Sequence, residues 1–148
     1  MKNILVTGGA GFIGSHLVEA LVARGHNVRV LDLLVDQVHG DNGRRPRYLP
    51  EGVAFLKGDV ADPSAWRWAL QDVDVIFHEA AEVGVGQSMY EIVRYMRANT
   101  LGTAIMLELL ASGDYAIERL IVASSMSIYG EGAYACPTCG PVFPRLRP

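Results

Sequence analysis

Residues 7–14 read Thr-Gly-Gly-Ala-Gly-Phe-Ile-Gly, and they directly follow the apolar run Ile4-Leu5-Val6. This order predicts a turn from a buried strand into a helix whose first amide groups hold a diphosphate. Glycine lets the backbone turn tightly and approach the phosphates closely, while the positive end of the helix dipole favours an anion there. The sequence therefore begins like a dinucleotide-binding unit.

A carboxylate follows this turn at the expected spacing. An amphipathic segment ends near Gly25, and a second apolar run over residues 28–31 ends in Asp32. An acidic residue about 20 residues beyond the glycines can accept hydrogen bonds from ribose hydroxyls. A glycine-rich turn with an unrelated surface aspartate is the alternative, but the joint occurrence of motif, context and acid favours a dinucleotide site.

Composition limits the class of protein. The chain has 148 residues, half of them apolar and 20% charged, with a net charge of −3. The apolar and charged fractions are typical of one soluble globular domain. The negative net charge argues against a basic surface that would bind nucleic acid. No apolar run is long enough to cross a bilayer, and the N-terminus resembles a strand rather than a signal peptide. We therefore expect a cytoplasmic protein that binds neither nucleic acid nor membrane.

Strand-like and helix-like segments alternate along the chain, which predicts an α/β fold of the Rossmann type with a doubly wound parallel sheet. The predicted strands cover residues 3–7, 27–32, 53–57, 73–78 and 118–124. The predicted helices cover residues 12–24, 63–70 and 89–112. A polar loop over residues 36–50 carries several arginines, which either face water or approach a phosphate.

The segment after Gly130 has a different composition. Four of the seven prolines are Pro137, Pro141, Pro144 and Pro148, and apolar periodicity is absent. Because proline breaks helices and is excluded from central strands, this region predicts an irregular tail. We expect a dinucleotide-binding domain over residues 1–130, a proline-rich tail over residues 131–148, and a sheet of about five strands that is incomplete at its C-terminal edge.

Ligands of open parallel sheets bind beyond the carboxyl ends of the strands. After the third strand, Asp59 could accept the adenine amino group or cap the next helix, although Asp62 suits the cap better. Val60 could pack on the adenine ring. After the fourth strand, the small residues Ala80 and Ala81 permit close backbone contact with the cofactor.

Two polar residues near these strand ends have more than one interpretation. His78 is more easily explained as a hydrogen-bonded residue at a strand end than as a catalytic base. Asn99 falls on a predicted apolar helix stripe that includes Ile92, Met96 and Met106. A buried amide must be hydrogen-bonded, so Asn99 either joins the helix to the sheet or reaches the backbone of the site.

Taken together, these motifs resemble the extended short-chain dehydrogenases/reductases, and more narrowly the NAD-dependent nucleotide-sugar epimerases and dehydratases. The resemblance rests on the glycine turn, Asp32, Asp59-Val60, residues 78–81, residues 99–103 and residues 124–130. It implies NAD as the cofactor and a nucleotide sugar as the substrate, and it makes a homodimer through the helix near residues 89–112 plausible. The cofactor contacts that it implies are Gly8, Gly11, Phe12, Ile13, Gly14, Asp32, Asp59, Val60, Ala80, Ala81 and Asn99.

The same resemblance assigns a catalytic role to Ser125, four residues before the pair Tyr129-Gly130, as the group that hydrogen-bonds the reacting sugar hydroxyl. Dehydratases of the family have Asp-Glu next, whereas this chain has Met126-Ser127, which favours an epimerase. The family's base is a tyrosine in Tyr-x-x-x-Lys. The only lysines here are Lys2 and Lys57, so the motif is absent.

We therefore interpret the chain as the cofactor-binding portion of an epimerase, inactive by itself. A non-catalytic NAD sensor or scaffold is the alternative from another class, and a sugar-nucleotide decarboxylase or reductase is the alternative within the family. The run Cys136-Pro-Thr-Cys139-Gly140 resembles half of a zinc knuckle. Because structural zinc takes four ligands, we expect no metal site within this chain alone.

Overall fold

The computed structural model describes residues 1–40 and 43–144, and a five-stranded parallel sheet forms its centre. The strand order is β3-β2-β1-β4-β5, with every pair parallel. The strands are β1 (Asn3–Thr7), β2 (Asn27–Asp32), β3 (Ala54–Lys57), β4 (Val75–His78) and β5 (Arg119–Val122). The predicted α/β fold is confirmed, with β1 and β2 placed as expected and the other strands slightly shorter.

Alternating side chains of the strands bury two separate cores. On one face, Ile4 and Val6 of β1 pack with Val18 of the first helix. On the other face, Leu5 packs with Trp66 and Met106, both fully buried. Because both faces of the sheet are covered, the strands are apolar along most of their length, as parallel strands are.

Helices cover both faces of this sheet. They are α1 (Phe12–Ala23), α2 (Asp36–His39), α3 (Pro63–Ala69), α4 (Val85–Ser88), α5 (Ile92–Tyr95) and α6 (Gly102–Ala111). The predicted cap at the start of α3 is confirmed, because Asp62 accepts a hydrogen bond from the backbone N–H of Ser64 at 2.8 Å. The short helices α2 and α4 were not predicted.

The predicted helix over residues 89–112 is present from residue 92 to residue 111, but a π-helical segment, Met96–Leu101, separates α5 from α6. A π turn adds a residue to the helical repeat and rotates the faces before and after it relative to each other. The predicted single buried stripe was therefore wrong. Met106 is buried, whereas Ile92 is 60% exposed, Met96 is 52% exposed and Asn99 is also exposed.

The loop predicted over residues 36–50 is partly helical, since it contains α2. Of the predicted loop arginines, Arg45 is engaged within the protein, since its guanidinium donates to the backbone oxygens of Leu49 and Pro50, at 3.2 and 2.6 Å. This arginine therefore holds its own loop together. Residues 41 and 42 of the predicted loop, and residues 145–148 of the predicted tail, lie outside the described residues.

The prediction of an irregular tail was wrong for its described part. Residues 131–144 contain an antiparallel hairpin made of β6 (Tyr134–Cys136) and β7 (Gly140–Val142), which forms a sheet of its own. Pro141 is tolerated because a two-stranded hairpin has only edge strands. Within the two described ranges, no helix has both the length and the apolar character needed to span a membrane.

Candidate cofactor-binding site

A cleft opens at the carboxyl ends of the strands. In the sheet, β2 and β3 lie on one side of β1, and β4 and β5 lie on the other side. The direction in which successive strands are added therefore reverses at β1. Ligands of doubly wound folds bind at such a reversal. The cleft encloses about 140 Å³ and is lined by Gly8, Gly11, Asp32, Leu33, Val35, Val38, His39, Gly58, Asp59, Val60, Glu79, Ala80, Ala81, Glu82 and Ala98.

The floor of this cleft requires glycine. Gly8 has a φ of +67°, and a Cβ there would lie 2.7 Å from the backbone nitrogen of Ala80. A Cβ on Gly14 would overlap the carbonyl oxygen of Gly8. The glycines therefore let β1, the start of α1 and the segment after β4 approach one another more closely than side chains allow.

The helix α1 begins directly after Gly11, which lines the cleft. Gly11 precedes the helix in an extended conformation, and its carbonyl accepts the first helical hydrogen bond, from Ser15 at 2.9 Å. The first amides of a helix have no partner within the helix. Because α1 has no acidic residue in its first turn, this end of the helix is suited to an anion. The side chains of Phe12 and Ile13 are exposed.

Asp32 connects the glycine turn to the end of β2. Its Oδ2 accepts from the backbone N–H of Ala10 at 2.9 Å, and its Oδ1 accepts from that of Leu34 at 2.8 Å. The Nε2 of His39 lies 3.8 Å from Oδ1. On the other side of the turn, the Tyr48 hydroxyl donates to the carbonyl of Ala10 at 2.5 Å. Ala10 is thus fixed through both of its backbone polar groups.

Asp59 and Val60 form the wall beside β3. The Oδ2 of Asp59 accepts from the guanidinium of Arg97 at 3.0 and 3.2 Å, and its Oδ1 accepts from the N–H of Ala61 at 2.8 Å. Val60 is buried, and its carbonyl accepts from the indole N–H of Trp66 at 2.7 Å. The wall therefore combines a carboxylate with an apolar residue, a mixture that is common in small-molecule sites.

His78 is buried at the end of β4, and both of its ring nitrogens have partners. Thr103 donates its hydroxyl proton to the carbonyl of Asn99 at 2.7 Å, so its oxygen accepts from Nε2–H of His78 at 3.1 Å. The N–H of Ala80 donates to the Thr7 hydroxyl, which in turn donates to Nδ1 at 2.7 Å. Burial lowers the pKa of His78 to about 4, so the ring is neutral and occupied rather than a free base.

The segment after β4 is held by polar contacts from the helices. Asn99 accepts from the N–H of Glu82 at 2.8 Å and donates to its carbonyl at 3.0 Å. Arg94 pairs with the Glu82 carboxylate through Nε and Nη2, at 2.9 and 2.8 Å. Of the two interpretations of Asn99, contact with the backbone of the site is the one observed. Asn99 makes that contact from an exposed position.

A pair of glutamines joins the two sides of the cleft. Gln37 of α2 and Gln87 of α4 each donate a side-chain N–H to the oxygen of the other, at 3.3 and 3.2 Å. Gln87 also donates to Glu91 at 2.9 Å and accepts from the Tyr95 hydroxyl at 3.1 Å. The segments that follow β2 and β4 are therefore connected beyond the end of β1.

The structure brings most of the predicted contacts together. The cleft contains Gly8, Gly11, Asp32, Asp59, Val60, Ala80 and Ala81. It does not include Phe12, Ile13, Gly14, Asn99 or Ser125 among its lining residues. Ser125 is exposed and follows β5. Its Oγ accepts a hydrogen bond from the backbone N–H of Ser127 at 3.1 Å, and Ser125 thereby caps a short 3-10 helix, Met126–Tyr129.

Eight lining residues were not among the predicted contacts, namely Leu33, Val35, Val38, His39, Gly58, Glu79, Glu82 and Ala98. The apolar run directly after Asp32 was the available signal for the first two. A larger cavity of about 580 Å³ opens at the amino ends of the strands, beside Asn3 and His26. None of the predicted site residues lines that cavity, and the end of the sheet it occupies is opposite to the one where such folds bind ligands.

Comparison with known proteins agrees with this geometry. A sequence model described as the NAD dependent epimerase/dehydratase family matches residues 4–144. The chain is 40% identical over 148 residues to a dTDP-L-rhamnose 4-epimerase of Burkholderia thailandensis, covering 99% of this chain and 40% of that protein. It is 34% identical over 131 residues to a UDP-N-acetyl-alpha-D-glucosaminuronate decarboxylase of Bacillus cytotoxicus, covering 88% of this chain and 39% of that protein.

Among solved structures, a Thermus thermophilus UDP-glucose 4-epimerase in complex with NAD superposes with a TM-score of 0.74 at 39% identity. That match covers 95% of this chain and 44% of the other. The chain thus spans about 40% of the length of the curated relatives that it matches. With the family's sequence model matched over residues 4–144 and a sheet that reverses at a glycine-lined cleft, the chain belongs to the NAD dependent epimerase/dehydratase family.

Proposed function

We propose that this chain is the NAD-binding portion of a nucleotide-sugar epimerase. The observation that carries the proposal is the single cleft in which the glycine turn, Asp32, Asp59-Val60 and Ala80-Ala81 meet. These residues come from four different strand ends, yet they line one space at the reversal of strand order. Membership of an NAD dependent family supports the identity of the ligand.

The residues suit the parts of NAD. The diphosphate would lie against Gly8, Gly11 and the first amides of α1 at Phe12, Ile13 and Gly14. Asp32 would accept hydrogen bonds from the adenosine ribose, because each carboxylate oxygen has accepting capacity beyond its one backbone partner. Asp59 and Val60 would contact the adenine, and Ala80 and Ala81 would contact the middle of the cofactor.

The same carboxylate favours NAD over NADP. Asp32 is buried and is followed by the apolar residues Leu33 and Leu34. A 2′-phosphate placed beside it would meet a negative charge in a site that water screens poorly. We therefore infer a preference for the cofactor without that phosphate.

When held in this cleft, NAD would supply reversible hydride chemistry at a sugar carbon, which in an epimerase inverts that carbon through a keto intermediate of the sugar. Ser125 would hydrogen-bond the reacting hydroxyl from the end of β5. A base must accept the proton of that hydroxyl. His78 does not suit this role, since both of its nitrogens are engaged. The 148 residues contain no Tyr-x-x-x-Lys motif, so we propose that the chain alone binds NAD without turnover.

A second candidate is a sugar-nucleotide decarboxylase, which the similarity to a decarboxylase favours. It shares the cofactor cleft and the oxidation step, and differs in what the keto intermediate does next. A non-catalytic NAD-binding module, such as a sensor or a scaffold, is the candidate outside the enzymes.

We further propose a cytoplasmic homodimer formed through the helical run from residue 92 to residue 111, where Met96, Leu101 and Leu107 are exposed.

Two measurements test the proposal. Calorimetric titration of the chain with NAD should show binding, with NADP much weaker. Absence of binding in a chain that circular dichroism shows to be folded would refute the cofactor assignment. A protein that continues beyond residue 148 into a Tyr-x-x-x-Lys segment should then epimerise a UDP- or dTDP-sugar. Loss of carbon dioxide from a sugar acid would favour the decarboxylase instead, and binding without any turnover would favour the module.

A further inference from the structure

A sharp turn after β2 brings His39 back beside the carboxylate of Asp32. Leu34 has a φ of +55°, in the left-handed region that a bulky side chain rarely adopts. Its side chain is buried and its N–H donates to Oδ1 of Asp32 at 2.8 Å, so burial and this hydrogen bond hold the strained conformation. The chain then forms the single turn of α2, which ends at His39, and Gly40 leaves the helix with a φ of +71°. This local structure fixes the place of the imidazole.

The imidazole of His39 is buried in the wall of the cleft, but only one of its nitrogens has a partner. Its side chain is 9% exposed, and it lines the cleft together with Asp32. Nε2 lies 3.8 Å from Oδ1 of Asp32, which is too long for a hydrogen bond. Among the described residues, Nε2 has no hydrogen-bond partner. Because a polar atom withdrawn from water is costly when unpaired, this nitrogen is suited to a ligand in the cleft.

The other ring nitrogen of His39 faces a hydroxyl whose proton is already used. Nδ1 lies 3.4 Å from the hydroxyl oxygen of Tyr48, which donates its one proton to the carbonyl of Ala10 at 2.5 Å. The Tyr48 oxygen can therefore only accept from the imidazole, which places a ring hydrogen on Nδ1. In a neutral imidazole the second nitrogen is then an acceptor. Nε2 thus offers a lone pair beside the carboxylate of Asp32.

We propose that His39 is a further binding residue for the adenosine ribose, and that its Nε2 accepts a hydrogen bond from one ribose hydroxyl while Asp32 accepts from the adjacent one. Such a contact rests on the proposed NAD function and adds to it a residue outside the glycine turn and the carboxylate. Two acceptors side by side suit a cis diol, whose hydroxyls are two neighbouring donors. Both side chains are about nine-tenths buried, so water competes weakly for these hydrogen bonds.

Calorimetric titration with NAD and with two analogues, in which the adenosine ribose lacks either the 2′- or the 3′-hydroxyl, tests this contact. His39→Phe keeps a planar ring and removes both nitrogens. We expect it to weaken NAD binding about 3- to 10-fold, as the loss of one neutral hydrogen bond does. With one of the two analogues the same substitution should cause no further loss, because the hydroxyl that Nε2 binds is already missing. His39→Gln, whose amide oxygen can accept in place of Nε2, should bind NAD more tightly than His39→Phe.

His26→Phe is the matched control, because His26 lies beside the cavity at the opposite end of the sheet; it should leave all three affinities unchanged. Equal losses for NAD and both analogues in His39→Phe would overturn the proposal, since the ring would then support the loop rather than bind a hydroxyl. Unchanged NAD affinity in His39→Phe would overturn it as well. His39→Leu gives the same comparison if circular dichroism shows that the aromatic variant does not fold. Failure of the parent chain to bind NAD would refute the cofactor assignment and this contact together, whereas equal losses refute the contact alone.

Discussion

Gln37 and Gln87 exchange side-chain amide hydrogen bonds, at 3.3 and 3.2 Å, although 50 residues separate them in sequence. Gln37 belongs to α2, whose Val38 and His39 line the cleft, and Gln87 belongs to α4, which follows the lining residues Ala81 and Glu82. The pair therefore closes a polar connection between the two segments that flank the glycine turn. We expect this connection to help retain a ligand bound in the cleft.

We predict that Gln87→Ala accelerates the dissociation of NAD about 3- to 10-fold, because the loss of one or two neutral hydrogen bonds costs on the order of 1 kcal/mol. Stopped-flow fluorescence of NADH release measures the rate. Gln71→Ala is the matched control, since Gln71 is exposed and lies at the opposite end of the sheet. Equal dissociation rates for the two folded variants would contradict a role of the pair in retaining the cofactor.

The sequence predicted the sheet because its signals are local. Each strand is a short apolar run, and the glycine turn and Asp32 sit at fixed distances from the first two runs. The cleft followed from the rule that parallel strands present their carboxyl ends at one edge. Seven predicted contacts accordingly line it, including Gly8 and Asp32.

Features that depend on partners distant in sequence could not be predicted. The π turn at Met96–Leu101 breaks the helical periodicity from which we expected a continuous buried stripe. We find no local residue pattern that predicts this turn. The glutamine pair and the contact of Asn99 with Glu82 are set by how the loops meet in space. The hairpin of β6 and β7 was missed because prolines weigh against strands, a rule that does not apply to edge strands.

Gly14→Ala should destabilise the domain. The new Cβ would overlap the Gly8 carbonyl in a part of the backbone that cannot shift without moving β1, so we expect a loss of about 1–3 kcal/mol in the free energy of unfolding. Urea unfolding followed by circular dichroism measures it. Gly86→Ala is the control, because a Cβ there meets nothing within 4 Å. Similar stability of the two variants would show that the close approach at Gly14 is not required.

Asp32→Asn should weaken NAD binding about tenfold or more, since charge-assisted hydrogen bonds to the ribose and to Ala10 are replaced by neutral ones. The penalty against NADP should also shrink, because the charge that would repel a 2′-phosphate is removed. Calorimetry with both cofactors measures the two affinities. Asp36→Asn, an exposed carboxylate of the neighbouring α2, should change neither. An unaltered ratio of NAD to NADP affinity in Asp32→Asn would refute the role in selectivity.

His78 should make the stability of the domain depend on pH. Burial lowers the pKa of its ring to about 4, whereas an unfolded histidine titrates near 6.5. Between these values the unfolded chain binds more protons than the native one, so the contribution is complete above about pH 6.5 and is lost as the pH falls towards 4. The native pKa sets an upper limit of about 3 kcal/mol on this loss.

In urea unfolding from pH 7 to pH 4.5, His78→Gln should lose less stability than the parent chain, because glutamine does not titrate. His16→Gln, at an exposed position, should keep the parent's dependence. If His78→Gln kept the full dependence, other groups would have to carry it, and the neutral, doubly bonded state of His78 would be refuted.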